Sequence, residues 1–194
     1  MNKKRALIGA GGHAREVMRQ MGIELPCFVE DEYLKPNTLP ISQLNPDEYE
    51  VMIAVGDSKN RKKIKDKLHH DLKFFTFIHP TALIMDSNIE IGEGTFIGAY
   101  SILTTNIKIG NHSLLNRGNH IGHDSVCGDF LSMMPGSIIS GNVDIGNLVY
   151  IGTNSSVRER CKIGDNIKVG LNSGVIKDIS KEGTYVGTPA KLIS

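Results

Sequence analysis

The sequence predicts a small α/β domain over residues 1–77, followed by a parallel β-helix over residues 78–194. Three observations carry this. Strand-like and helix-like segments alternate over residues 5–78. An aliphatic or sulfur-bearing residue then recurs every six positions from Ile91 to Val175. Twenty-one glycines, no tryptophan and 6% aromatics mark a chain with many tight turns and little room at its corners.

Arg5–Gly9 reads as a short apolar strand, followed by Gly9-Ala10-Gly11-Gly12-His13-Ala14 and a helix over Arg15–Met21. Pro26–Glu30 is a second strand, ending in Glu30-Asp31-Glu32. Tyr49–Val55 is a third, closed by Gly56-Asp57. Ser58 is the expected N-cap of a helix over Lys59–Leu68. Leu72–Ile78 is a last strand, leading into His79-Pro80-Thr81-Ala82. The alternation implies a small parallel sheet, Rossmann-like but only half of a doubly wound domain. Gly9-x-Gly11-x-x-Ala14 lets the backbone approach a pyrophosphate at a helix N-terminus. The acidic pair Glu30-Asp31 lies about twenty residues on, where such folds meet a ribose or base. The same residues also fit a tight strand–helix turn beside a solvated acidic loop, and the missing second half speaks against NAD.

Stepping by six from Ile91 gives Ile97, Leu103, Ile109, Leu115, Ile121, Cys127, Met133, Ile139, Ile145, Ile151, Val157, Ile163, Val169 and Val175, with Met85 extending the series backwards. If such residues filled one position in three, fifteen hits would arise by chance with odds of ~10⁻⁷. Small residues such as Ser101, Ser113 and Ser125 stand two places before a hit, and glycine often stands just after, where it is expected to ease the turn. A period of six fits a short strand and a turn wound as a parallel coil, three hexads to the coil. Residues 85–175 then make about five coils, roughly 24 Å tall at the ~4.8 Å strand spacing. Cys127 is a hit and belongs to the core, not to the chemistry.

Composition removes several classes. The 194 residues carry 22 Lys plus Arg against 21 Asp plus Glu, a net charge of +1, so there is no basic excess for nucleic acid. No apolar run approaches the ~18 residues of a membrane span. The basic start Met1-Asn2-Lys3-Lys4-Arg5 leads into an apolar stretch too short for a signal peptide. Three widely spaced cysteines fit a reducing, cytoplasmic compartment.

The densest polar cluster is Asn116-Arg117-Gly118-Asn119-His120-Ile121-Gly122-His123-Asp124. His123, two past the inward Ile121, projects outward beside Asp124. An imidazole next to a carboxylate is the arrangement of a general base. A surface histidine on a coil is the alternative, with His79, His112 and His120 as rival bases. His13 is expected to line the glycine loop, and His69 and His70 to be solvated.

The chain resembles the NeuD family of sialic-acid O-acetyltransferases, and within it the bacterial N-acetyltransferases of UDP-4-amino-4,6-dideoxy sugars of the bacillosamine type. The resemblance covers nearly the whole chain. It runs through Gly9–His13, Phe28–Asp31, Ile53–Gly56 with Arg61–Ile64, Ile78–Ala82, the hexads, and Gly183–Lys191. It implies a small α/β Rossmann-like N-terminal domain followed by a left-handed parallel β-helix (hexapeptide repeat). It also implies N-acetylation of the 4-amino group of a nucleotide-linked sugar by acetyl-CoA, for surface glycan such as O-antigen. UDP is the first choice, GDP-perosamine or a dTDP sugar stands behind it, and sialic acid O-acetylation is the alternative.

In the family the catalytic histidine stands eighteen residues before the glycine of a Gly-Asn-Val-x-Ile-Gly rung. That rung is Gly141–Gly146 here, which marks His123, with Asp124 where the sugar N-acetyltransferases have Glu. Family contacts to acetyl-CoA fall on Ser132, Gly141, Thr153 and Leu171. Substrate contacts fall on Ala10, Gly11, Gly12, His13, Glu30 or Asp31, Gly56 and Asn116. No metal is required, and a γ-class carbonic anhydrase site is disfavoured by the spacing of His112, His120 and His123. A triangular prism with three flat faces is expected to assemble as a homotrimer, with the active site between chains.

Overall fold

The computed structural model describes residues 3–194; Met1 and Asn2, the first residues of the basic start and of the expected 1–77 domain, lie outside the described residues. The first part contains β1 (Lys4–Ile8), α1 (Gly12–Met21), β2 (Cys27–Val29), β3 (Leu39–Pro40), β4 (Tyr49–Ile53), α2 (Ser58–Lys67) and β5 (Lys73–Phe74). All five strands are parallel, in the order β3-β2-β1-β4-β5. The chain therefore reverses direction of travel between β1 and β4, which opens a crevice at their C-terminal ends.

Apolar runs bury both faces of the sheet: Leu7 and Met52 pack with Ala14 and Val17 of α1, while Ala6, Ile8, Val51 and Ile53 pack with Phe28 and Leu72. The structure differs from the sequence reading in that α1 starts at Gly12 and the unexpected short strand β3 is present, and in two further details. Ser58 is the first residue of α2, and Asp57 caps it by accepting from the Asn60 N–H at 2.8 Å. The strand expected over Leu72–Ile78 is split: Lys73–Phe74 pairs with β4, whereas Phe77–Ile78 pairs with Phe96–Ile97 in the β-helix.

From Phe77 onward the chain winds into a left-handed three-sided prism of two-residue strands. One face is the ladder Phe77, Phe96, Leu114, Ser132, Tyr150, Lys168; a second runs Leu83, Ile102, His120, Ile138, Ser156, Gly174; the third runs Glu90, Lys108, Val126, Asp144, Lys162. Partners stand eighteen residues apart above the first coil, as Lys108 and Val126 do, until the last, where Ile167 pairs with Gly183 at sixteen. The hexad residues from Ile97 to Val175 fill the prism, and the small residues Thr95, Ser101, Ser113, Ser125, Ser137, Ser155 and Ser173 are buried at its inner corners.

The first coil breaks the period. Leu103 pairs with Ile84, nineteen residues back, so Ile84 takes the inward place and Met85 is exposed. One extra residue is accommodated between Ile84 and Ile91.

The glycines after the hits have a different role from the one expected. The left-handed backbone lies two residues further on, at corners such as Asn106 (φ 50°), Asp124 (φ 58°), Asn142 (φ 56°) and Asn154 (φ 56°). Asparagine and aspartate tolerate that conformation better than most residues. Where glycine follows a hit, as on the column Gly92, Gly110, Gly128 and Gly146, the next coil passes directly over it. A Cβ on Gly110 would lie 2.5 Å from the Gly128 carbonyl carbon and 2.6 Å from the Asp129 nitrogen.

The α/β part sits on the Phe96–Leu114–Ser132 face. Phe96 and Leu114 join Leu7, Ala14, Met52 and Phe75 in one apolar cluster. The Gln20 amide oxygen accepts from the Ala99 N–H at 2.8 Å, and Arg117 pairs with Glu16.

Candidate active site

Two separate features could hold ligands. The first is a cavity of about 550 Å³ at the C-terminal ends of β1, β2 and β4, lined by Gly9–His13, Val29, Glu30, Tyr33, Lys35, Val55, Gly56, Asn60, Lys63 and Lys67. Gly9 must be glycine there: its φ is +109° and a Cβ would lie 3.1 Å from the Ala54 oxygen. Gly11 takes the N-cap place of α1 without a side-chain cap. The first N–H groups of α1 therefore lack intrahelical partners and face the crevice, a site suited to phosphate oxygens.

His13 is held at about 4, first by burial and then by the Arg61 charge, so it is neutral near pH 7. Its ring stands edge-on to Phe96, and Glu16 lies 3.8 Å from Nδ1. Glu30 points into the cavity with Oε1 bound to Lys67 Nζ at 2.5 Å.

Ala10, Gly11, Gly12, His13, Glu30 and Gly56 thus come together as the sequence suggested. Asp31 does not join them; it opens an exposed 3₁₀ turn, Asp31–Tyr33. Asn116 is buried on the prism outside this cavity, its Oδ1 accepting from the Arg117 N–H at 2.8 Å.

The second feature is the corner carrying His123. Its Nδ1 lies 2.8 Å from Asp124 Oδ2, so the shorter carboxylate does reach the ring. Asp124 Oδ1 accepts from Asn106 Nδ2 at 2.7 Å. The Asn106 and His123 bonds hold the Asp124 carboxyl below the usual aspartate range.

The backbone fixes this corner from both sides. The Asp124 N–H donates to Thr105 O at 3.1 Å, and the Asn142 N–H donates to His123 O at 2.7 Å. The imidazole lies over Gly141, one coil on, where a Cβ would stand 2.5 Å from Nε2. The Gly141 N–H donates to no protein acceptor among the described residues. With Nδ1 engaged by the carboxylate, Nε2 is the free nitrogen, and the His123 side chain is 56% exposed.

The rival histidines are placed differently. His112 is buried between Phe74 and Phe130, and burial holds it at about 4. His79 pairs with the Thr81 hydroxyl, and His120 is exposed with no carboxylate partner among the described residues. Cys127 is buried and its thiol is pushed up to about 12, as befits core.

The residues assigned to acetyl-CoA divide. Gly141 lies under His123. Thr153 and Leu171 are exposed and stacked one coil apart on the neighbouring edge of the prism. Ser132 must be corrected: it is fully buried beneath the α/β part, its hydroxyl donating to Gly56 O at 3.0 Å and accepting from Arg61 Nη2 at 2.9 Å. The polar ladder position that would be open on a bare prism is here covered by α2. Arg61 itself was not singled out by sequence reasoning, because it stands in the run Lys59-Asn60-Arg61-Lys62-Lys63 among solvated cations.

His123 and the cavity lie on different sides of one chain. The α/β part rests on the Ser132 face, whereas His123 marks the edge between the other two faces.

Comparison with known proteins agrees with this architecture. Residues 4–68 match the family model of the PglD N-terminal domain. The chain is 30% identical over 116 residues to an acyl-[acyl-carrier-protein]–UDP-N-acetylglucosamine O-acyltransferase of Pseudomonas entomophila, covering 59% of this chain and 45% of that one. It is 27% identical over 134 residues to GDP-perosamine N-acetyltransferase of Escherichia coli O157:H7, covering 69% and 54%. The chain spans about half the length of these curated relatives. The fold is that of a perosamine N-acetyltransferase mutant from Caulobacter crescentus solved with CoA and GDP-perosamine: TM-score 0.87, 24% identity, 100% of this chain and 98% of that one covered. The chain thus joins a PglD-type N-terminal domain, over residues 4–68, to a hexapeptide-repeat prism, and its fold is similar to that of the Caulobacter perosamine N-acetyltransferase.

Proposed function

We propose that the protein transfers the acetyl group of acetyl-CoA to the 4-amino group of a nucleotide-linked 4-amino-4,6-dideoxy sugar. The observation that carries this is the His123–Asp124 pair, locked over Gly141 at an open prism edge. The unprotonated amine attacks the thioester carbonyl, His123 Nε2 accepts the amine proton, and Asp124 steadies the imidazolium through Nδ1. The free Gly141 N–H donates to the oxyanion of the tetrahedral intermediate. The intermediate collapses, the C–S bond breaks, and the imidazolium proton passes to the departing CoA sulfur.

The cavity between β1 and β4 takes the nucleotide, with its diphosphate at the N-terminus of α1 and Glu30 accepting from a base N–H. Thr153, Leu171 and Gly141 take acetyl-CoA. The relative named for GDP-perosamine and the solved homologue with CoA and GDP-perosamine support this reading.

Separation of His123 from the cavity within one chain supports a homotrimer in which neighbouring copies complete the site. Leu83 and Ile138 stand exposed on one prism face and supply apolar surface for it. Among the described residues no helix is long and apolar enough to cross a membrane. We place the enzyme in the cytoplasm, where acetyl-CoA and sugar nucleotides are made, supplying a surface-glycan pathway.

The test is CoA release with purified protein against UDP-, GDP- and dTDP-linked 4-amino-4,6-dideoxy sugars, with sialic acid as the hydroxyl acceptor. Turnover on an amino sugar alone is expected. Turnover on sialic acid alone, or on none, would overturn the proposal.

A further inference from the structure

Arg61 is buried and makes six side-chain hydrogen bonds, and among the described residues no carboxylate is bound to it. Its Nε donates to His112 O at 2.7 Å, and its Nη2 to Phe130 O, Leu131 O and Ser132 Oγ at 3.2, 3.0 and 2.9 Å. Its Nη1 donates to Val55 O and Gly56 O at 2.8 and 3.1 Å. Burial lowers it to about 10, which still leaves it charged near pH 7. Its hydrogen-bond partners are all carbonyl and hydroxyl oxygens, and the nearby Asp57 carboxylate offsets only part of the cost of burying the charge.

The consequence lies on the far side of the bonded peptides. In a trans peptide the N–H points opposite to the carbonyl. Two successive carbonyls drawn onto one guanidinium nitrogen therefore turn the Gly56 and Asp57 N–H groups away from Arg61. Neither donates to a protein acceptor among the described residues. Val55 and Gly56 line the cavity together with Gly11 and Gly12. Successive free N–H groups backed by a positive charge form an anion-binding concavity.

We propose that Arg61 is a positioning residue: by holding the Val55 and Gly56 carbonyls against the prism, it presents the Gly56 N–H to a phosphate oxygen of the bound nucleotide diphosphate, opposite the Gly11–Gly12 turn. This rests on the reading of the cavity as a nucleotide-sugar site. Arg61 reaches the ligand only through the peptide it orients, and Ser132 assists by donating to the same Gly56 oxygen.

The test is calorimetric binding of UDP, GDP and dTDP, of the matching nucleosides and of acetyl-CoA, to wild type, Arg61→Gln, Arg61→Lys and Ser132→Ala. Arg61→Gln is expected to weaken the diphosphate at least tenfold, the nucleoside less than threefold, and acetyl-CoA not at all. A general loosening of the fold would weaken all three alike. Arg61→Lys keeps the charge but not the fork and should fall between, and Ser132→Ala should weaken the diphosphate two- to fivefold.

Wild-type protein supplies a measurement that needs no variant to fold. The Gly56 amide should exchange with solvent freely in the empty protein and be protected by saturating nucleoside diphosphate. Binding with an unprotected Gly56 amide, or with equal affinity in folded Arg61→Gln, would overturn this inference and leave the acetyltransferase reading standing. Failure of wild type to bind any of the three diphosphates would overturn both.

Discussion

Gly141→Ala tests the catalytic corner with one methyl group. Gly141 is absent from the positive-φ positions, so alanine is compatible with its backbone. The added Cβ would stand 2.5 Å from His123 Nε2, 2.8 Å from Cε1 and 2.9 Å from Cδ2. Carbon and nitrogen at rest need about 3.5 Å, so the ring must move by roughly 1 Å. The His123 side chain is half exposed and tied only to the also exposed Asp124, so the relief falls on the catalytic geometry and not on the core. A displacement of about 1 Å can cost ~10²-fold in rate. At saturating acetyl-CoA and amino-sugar nucleotide, kcat should fall about 10- to 100-fold. KM for the sugar nucleotide should hold within twofold, and the melting temperature within a few degrees. Initial rates of CoA release, with a thermal melt on the same sample, would show this. A kcat within twofold of wild type would mean that the imidazole over Gly141 is not where the proton goes.

Other outcomes follow from the same geometry. His123→Ala should lower kcat by ~10²–10⁴-fold with both KM values little changed, and His120→Ala far less, read from steady-state kinetics. Asn106→Ala removes the first bond holding the Asp124 carboxyl down, so its titration, followed by carbon-13 NMR, should move up toward the ordinary aspartate value. Burial holds His13 and His112 at about 4 against an ordinary 6.5; between those pH values the unfolded chain binds protons that the folded one does not. Stability should therefore fall as pH is lowered from 6.5 to 4, seen as a falling urea midpoint. Gly110→Ala drives a methyl into the backbone of the next coil and should lose about 1–3 kcal/mol or more by denaturant melting.

What the sequence shows and what it hides divide along physical lines. The hexad signal is legible because each inward residue meets only its equivalents one coil away, so a local period encodes the whole prism. The same logic gives His123 its outward direction, through its offset from Ile121, while the eighteen-residue step to Gly141 comes from the family resemblance; in the structure that step is one coil. The extra residue near Met85 is invisible because Ile84 and Met85 are both acceptable hits, and only pairing with Leu103 separates them. Leu39–Pro40 is too short a strand to carry any alternation. Arg61 and Ser132 could not be told from their neighbours by pattern, because docking of two segments about seventy residues apart in sequence buries them. The acetyl-CoA assignment of Ser132 failed for the same reason.

The bonds of Arg61 also bear on how the molecule opens. His112 O and Phe130 O, both bonded to its guanidinium, stand at the same edge one coil apart. The turn of chain between them is the one that carries His123 and Asp124. A coil that touches only its neighbours unravels from a free end, one turn at a time. The coils above Ile145 are tied to α2 only by the Ser58–Leu148 bond at 3.4 Å and the exposed Lys59–Glu182 pair, so breaking should begin there and meet its main resistance at Phe130, because releasing that turn requires the guanidinium to let go of both of its ends. Native-state hydrogen exchange should accordingly climb in opening free energy from Val175 down to Met133 and then level off. The active turn would then open only when the α/β part lifts away, so thermal fraying of the far end leaves the histidine in place.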